Sequence, residues 1–161
     1  MDQIISRVSQ VGIIVADIEE AKKNFEKYLG VTEWDCFDGE HLPPLLVDEK
    51  PGKLNIKGAI TTFPDRFEIE LIEPTGEGPY MDHLREHGPG VHHFAIITGN
   101  KNGRYQDMMN LITSEGKHPW IHARQADCAP GEGMDFTYLD LRNEMVTNAD
   151  ELTIEPLPHG A

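Results

Sequence analysis

GPGVHHFAII, residues 88–97, sets two adjacent histidines at the head of an apolar run, and its reading decides the fold. In a strand, successive side chains face opposite sides of the sheet. His92 therefore falls with Phe94 and Ile96, and His93 with Ala95 and Ile97. Two strand-end histidines that are simply hydrogen-bonded or wet would need no further account. An internal repeat supplies one. Residues 9–21, SQVGIIVADIEEA, align with residues 92–104, HHFAIITGNKNGR, at an offset of 83. Gln10 then falls on His93, Val11 on Phe94, Gly12 on Ala95, and Asp17 on Asn100. In both copies a strand runs into a polar turn and a helix follows, which marks a duplicated unit.

The first helix, DIEEAKKNFEKYLG (17–30), has Asp17 as its cap, Glu19 and Glu20 in its first turn, and an apolar stripe of Ile18, Ala21, Phe25 and Leu29. Gly30 stops it. The second, at about 102–114, presents Tyr105, Met108, Met109 and Ile112 and ends near Gly116. KGAITTF (57–63) and RFEIELIEP (66–74) read as strands after the first helix. HPWIHA (118–123), MDFTYLDL (134–141) and EMVTNAD (144–150) read as strands after the second. The joining stretch, PTGEGPYMDHLREHGPG (74–90), holds a short helix at 81–87 between turns.

Alternation assigns the faces. Phe67, Ile69 and Leu71 form an apolar side that should meet a helix layer, while Glu68, Glu70 and Ile72 face away from it. Val11, Ile13 and Val15 oppose Gln10, Gly12 and Ile14 in the same way. Small Gly12 and Ala95 leave room beside Gln10 and His93, so a curved sheet with outer helices should hold a polar cleft. Glu70 has a counterpart some 80 residues on, at Asn148 to Asp150. An amide oxygen, one imidazole and one or two carboxylates are a hard, oxygen-rich set. Such a set suits a divalent cation with open water positions better than tight structural zinc.

Bulk composition narrows the classes. The chain has 161 residues, the length of one domain, and 28 acidic against 14 basic residues give a net charge of −14. That excess argues against nucleic acid as a partner. Two cysteines cannot build a disulfide framework, no apolar run reaches the length of a membrane span, and MDQIISRVSQ is no signal peptide. A cytoplasmic protein with no membrane partner is expected.

VGIIVADIEEAKKNFEKYLGV, FEIELIEP, GPYMDHLREHGPGVHHFAII and FTYLDL resemble the vicinal oxygen chelate superfamily, which comprises glyoxalase, bleomycin resistance and dioxygenase proteins. Within it the chain is most similar to methylmalonyl-CoA epimerase-like and glyoxalase-like proteins, from about residue 7 to 152. The resemblance implies an α+β fold: two tandem βαβββ modules forming a cupped, partly closed mixed sheet with helices on its outer face. The bounds are a module at about 7–75, a linker at 76–90, a module at 91–155 and a tail at 156–161, all in one domain, 1–161. It also implies a divalent metal ion (Mg, Mn, Co, Ni or Zn), a small-molecule substrate and a homodimer. Carried over by position, His93 is a ligand and His92 structural. Glu70 stands where the epimerases have Gln, and Gln10 stands where the family has His. The closing ligand, usually Glu, falls on Asp150 by ungapped extension, or on Asn148 with a two-residue deletion. The implied activity is that of a lyase or isomerase (epimerase- or glyoxalase-like) acting next to a carbonyl through a metal-stabilised enolate. The alternative is a metal-free protein that sequesters a small molecule in the same cup, with Gln10 hydrogen-bonding it directly.

Other residues bear on these two readings. His118, Trp120 and His122 share one face of HPWIHA, which either lines the cleft or forms a wet edge. His122 is a candidate general acid or base beside Glu70 and Asp150. Trp120, Tyr138 and Asn148 join Gln10 as substrate-binding candidates. The scarcity of basic residues does not favour a CoA ester, although Lys53, Lys57 and Arg66 could serve its phosphates. Cys128 reads as an ordinary thiol, and ELTIEPLPHGA (151–161) as an extended arm or a subunit contact.

Overall fold

A computed structural model describes residues 5–39, 45–98, 104–123, 136–141 and 153–157. In chain order these hold β1 (Arg7–Ile14), α1 (Ile18–Leu29), β2 (Asp35–Asp38), β3 (Leu45–Val47), β4 (Lys50–Gly52), β5 (Ile56–Thr62) and β6 (Glu68–Pro74). Then follow α2 (Pro79–His87), β7 (Gly90–Ile97), α3 (Arg104–Ser114), β8 (Ile121–Ala123), β9 (Phe136–Tyr138) and β10 (Thr153–Leu157). The architecture is mixed α+β, with two sheets not closed into a barrel and three helices among the described residues. The chain divides into two compact units. One holds Gln10–Leu42 and Lys53–His92. The other holds Met1–Ser9, Pro43–Gly52 and His93–Ala161.

In the first unit the strands run β1–β6–β5–β2, with β1 parallel to β6 and the other pairs antiparallel. Val11, Ile13 and Val15 share a face with Ile69 and Leu71, as the alternation requires. α1 closes that face: Ile18, Ala59 and Leu71 form the buried centre, with Ala21, Phe25 and Trp34 packed around it. The start of the helix is tied twice. Asp17 accepts from the Glu20 amide at 2.9 Å, and Glu73 Oε2 accepts from the Ile18 amide at 2.8 Å. Gly30, in the left-handed region at φ 70°, ends it. α2 starts at Pro79, two residues before the expected start, because a proline in the first turn has its φ preset and needs no amide partner. Lys57 lies opposite Glu73 in the β5–β6 register and pairs with it at 3.9 Å. Lys57 is thus on the helix side of the sheet, opposite the face that carries Glu68 and Glu70.

In the second unit β10 runs parallel to β7, and a second sheet has the antiparallel order β4–β3–β8–β9. α3 covers one face of β7: Ile96, Met108, Ile112 and Leu139 form the core, with Phe94, Met109 and Leu141 against it. Phe94 and Ile96 therefore face the helix, and the alternation turns His93 and Ala95 the other way.

One element is new and two expectations are corrected. The β3–β4 hairpin, which closes through Asp48 and Glu49, was not foreseen. HPWIHA is a strand only from Ile121, so His118 and Trp120 precede it and share no strand face with His122. Thr153–Leu157, read as part of an arm or a subunit contact, is β10. Among the described residues it pairs only with β7, and such an edge position tolerates Pro156. EMVTNAD and Cys128 lie outside the described residues.

Candidate functional site

The parallel register of β1 and β6 sets Gln10 opposite Glu68 and Gly12 opposite Glu70. All four share the face that α1 leaves uncovered. Gln10 donates from Nε2 to Glu68 Oε2 at 3.0 Å, and Thr62 Oγ1 donates to Glu68 Oε1 at 3.4 Å. Glu68 thus holds the amide nitrogen of Gln10, which makes Oε1 the atom of Gln10 suited to a cation. Glu68 was seen on this face in the sequence but not singled out. Its signal was its position, two residues before Glu70 in FEIEL. Gln10 is 7% exposed and Glu70 8%. Because Gly12 has no side chain, β1 places nothing beside the Glu70 carboxylate at that rung.

His92 belongs to the same unit. It is 1% exposed, with the Tyr80 ring centroid 5.0 Å away and the His83 ring edge-on at 4.7 Å. His83 in turn lies 4.7 Å from His87, one turn along α2.

In the second unit His93 is fully buried, at 0% exposed, and the Tyr138 ring stands edge-on to it at 4.7 Å and 88°. The Tyr138 oxygen lies 3.3 Å from His93 Nε2. Tyr138 is itself fixed by its backbone: its carbonyl accepts from the Trp120 amide at 2.9 Å, and the Trp120 carbonyl accepts from the Asp48 amide at 2.9 Å. His122 is half-buried on β8, between Leu46 and Thr137 in the register. Asn148 and Asp150 lie outside the described residues.

One residue the sequence reading passed over stands on a described strand of this unit. Across β7 and β10, Thr153 lies opposite His93 and Glu155 opposite Ala95. Since Ala95 is the repeat equivalent of Gly12, Glu155 is by backbone position the equivalent of Glu70. The Ile69–Glu70 pair recurs as Ile154–Glu155, and that was the available signal.

Among the described residues no three His, Cys, Asp or Glu side chains cluster in a way suited to a metal ion. Gln10 and Glu70 lie in the first unit and His93 in the second. As donor types, an amide oxygen, a carboxylate and an imidazole suit a hard divalent ion such as Mg or Mn in preference to tetrahedral zinc.

The profile of the Glyoxalase/Bleomycin resistance protein/Dioxygenase superfamily matches residues 9–129. No curated protein matches the chain by sequence. Among solved structures it is similar to methylmalonyl-CoA epimerase from Mycobacterium tuberculosis, with a TM-score of 0.61 and 18% identity over 99% of this chain and 93% of that one. It is similar to a variant of the Streptomyces coelicolor methylmalonyl-CoA epimerase in complex with 2-nitronate-propionyl-CoA, with a TM-score of 0.61 and 17% identity over 96% and 99%. A methylmalonyl-CoA epimerase in complex with methylmalonyl-CoA and NH4+ gives 0.60 and 18% over 94% of both chains. At these identities the likeness is one of fold.

Proposed function

The chain belongs to the glyoxalase/bleomycin resistance protein/dioxygenase superfamily, and from that premise we propose that it is a metal-dependent isomerase or lyase moving a proton next to a carbonyl. An acyl-thioester is the leading substrate class, in keeping with the CoA-linked ligands named for two of the similar structures. The observation that carries the reading is the matched register of the two strand pairs. Gln10 with Gly12 opposite Glu70, and His93 with Ala95 opposite Glu155, are the same pattern twice.

His93, Glu70, Gln10 through its amide oxygen, and a closing carboxylate would hold a divalent ion. The register favours Glu155 as that carboxylate over Asp150. When bound, such an ion offsets negative charge developing on a carbonyl oxygen as the neighbouring carbon gives up its proton. Glu68 orients the Gln10 amide. The proton itself passes to a carboxylate or to His122, histidine being the side-chain type suited to proton exchange near neutrality. Assembly as a homodimer belongs to the same proposal.

The test is Mn2+ titration of untagged protein by calorimetry, alongside exchange of the α-hydrogen of an acyl-thioester in D2O. One ion per chain is expected, with affinity at least about tenfold weaker in His93→Ala, Glu70→Ala and Glu155→Ala. Asp150→Ala should bind as the parent does; the reverse pattern for Glu155 and Asp150 would move the closing ligand. Absence of stoichiometric binding for Mg, Mn, Co, Ni and Zn alike would overturn the metal reading. The metal-free binding protein is the second reading: Glu68 holds the Gln10 amide nitrogen and so orients the amide oxygen as an acceptor for a bound molecule.

A further inference from the structure

We propose that Tyr138 is a positioning residue for His93: its hydroxyl donates to Nε2 and fixes the imidazole as the tautomer with its proton on Nδ1. It stands apart from the reading of His93 as a ligand, because the hydroxyl engages the Nε2 lone pair that a cation would need. A neutral imidazole carries one donor and one acceptor nitrogen, and the partner of one settles the other. The 3.3 Å contact joins Tyr138 oxygen and His93 Nε2, with both side chains buried. Of the two possible donors the phenol is the more acidic, so it donates and Nε2 accepts.

The imidazole is the partner that must adapt, because the phenol is anchored elsewhere. Tyr138 lies opposite Ile121 in the β8–β9 pairing, and its carbonyl accepts from the Trp120 amide. The edge-on packing of the two rings resists rotation of the imidazole. A flip of that ring would present a carbon to the hydroxyl and cost this hydrogen bond in a buried place. The result is a histidine whose single lone pair, on Nε2, is engaged by the hydroxyl, so that a cation reaching that nitrogen must first displace Tyr138.

The experiment is a long-range 1H–15N correlation on metal-free protein labelled at histidine, about two pH units above the ordinary imidazole pKa of about 6.5. Wild-type His93 should show an unprotonated Nε2 and a protonated Nδ1. Tyr138→Phe, which keeps the ring and removes the donor, should shift the tautomer ratio toward the Nε2 proton by about five- to tenfold. A proton on Nε2 in the wild type overturns the proposal without recourse to the variant. So does an unchanged ratio in a folded Tyr138→Phe. Mn2+ titration of the wild type and His93→Ala separates the two ideas. A tautomer that depends on Tyr138, with no Mn2+ bound, supports the positioning role and sinks the metal reading. Mn2+ held through His93, with a tautomer indifferent to Tyr138, does the reverse.

Discussion

Single residues on the open face of the first unit set how closely side chains crowd it. Phe37 lies opposite Gly58 in the β2–β5 register, and a Cβ added at Gly58 would overlap the Phe37 ring. Gly58→Val should therefore cost about 1–3 kcal/mol of stability. Combining it with Phe37→Ala should recover at least about 0.5 kcal/mol, read as a non-additive term in a thermal double-mutant cycle. Strict additivity would mean the ring swings aside at no cost. The same scale shows what the sequence could and could not reveal. The buried inward faces of His93 and Glu70 were legible because strand alternation pointed to them. Glu68 was visible on the right face, but its bond to Gln10 depends on the rung they share, and a rung is not written in either strand alone. Glu155 was hidden for another reason: its offset from Glu70 is 85 residues, against 83 for the opening strands, and Pro156 and Pro158 made the segment look like an arm.

At the scale of elements, α1 was legible almost to the residue, since its cap, stripe and terminal glycine are local signals. The β3–β4 hairpin was not, because its two-residue turn breaks the local rule. Asp48 and Glu49 sit at φ 48° and 63°, in the left-handed region that Asn-Gly adopts at little cost. Tertiary contacts hold this turn: the Asp48 amide donates to the Trp120 carbonyl, and His118 lies 3.7 Å from Asp48 and 3.8 Å from Glu49. The double change Asp48→Asn, Glu49→Gly should stabilise the protein by about 1 kcal/mol, measured as a higher denaturant midpoint at constant slope. α2 offers a pH test. Arg85 grips Glu77 with two hydrogen bonds, of 2.8 and 2.6 Å, and by this bond and its charge holds the carboxyl below the usual range. With the folded pKa lowered, the contribution of the pair is present above the ordinary carboxylate pKa and is lost as pH falls through the lowered one. Following the Glu77 side-chain carboxyl by 13C NMR, Arg85→Ala should return its titration to the ordinary range.

For the whole molecule, the net charge of −14 and the proposed ion act on stability in the same direction, and they can be told apart. Self-repulsion among the excess acids opposes the compact state, and salt screens it over a Debye length of about 10 Å at 0.1 M. Added NaCl should thus raise Tm from its low-salt value in every variant that keeps the charge. A divalent ion bound only by the folded chain adds a different contribution, about 2.7 kcal/mol when its free concentration is a hundred times Kd. For a chain of this length that corresponds to a rise of about 5–10 °C. The family fold could be read from the repeat and the opening strands, yet neither strand shows whether a site with Gln10 in place of histidine still holds an ion. Melting curves in MnCl2 and NaCl at matched ionic strength address that. The wild type should gain the larger shift in MnCl2, saturating with concentration, while His93→Ala should show only the screening effect common to both salts. Equal shifts in the wild type would remove the ion from the account and leave the charge alone.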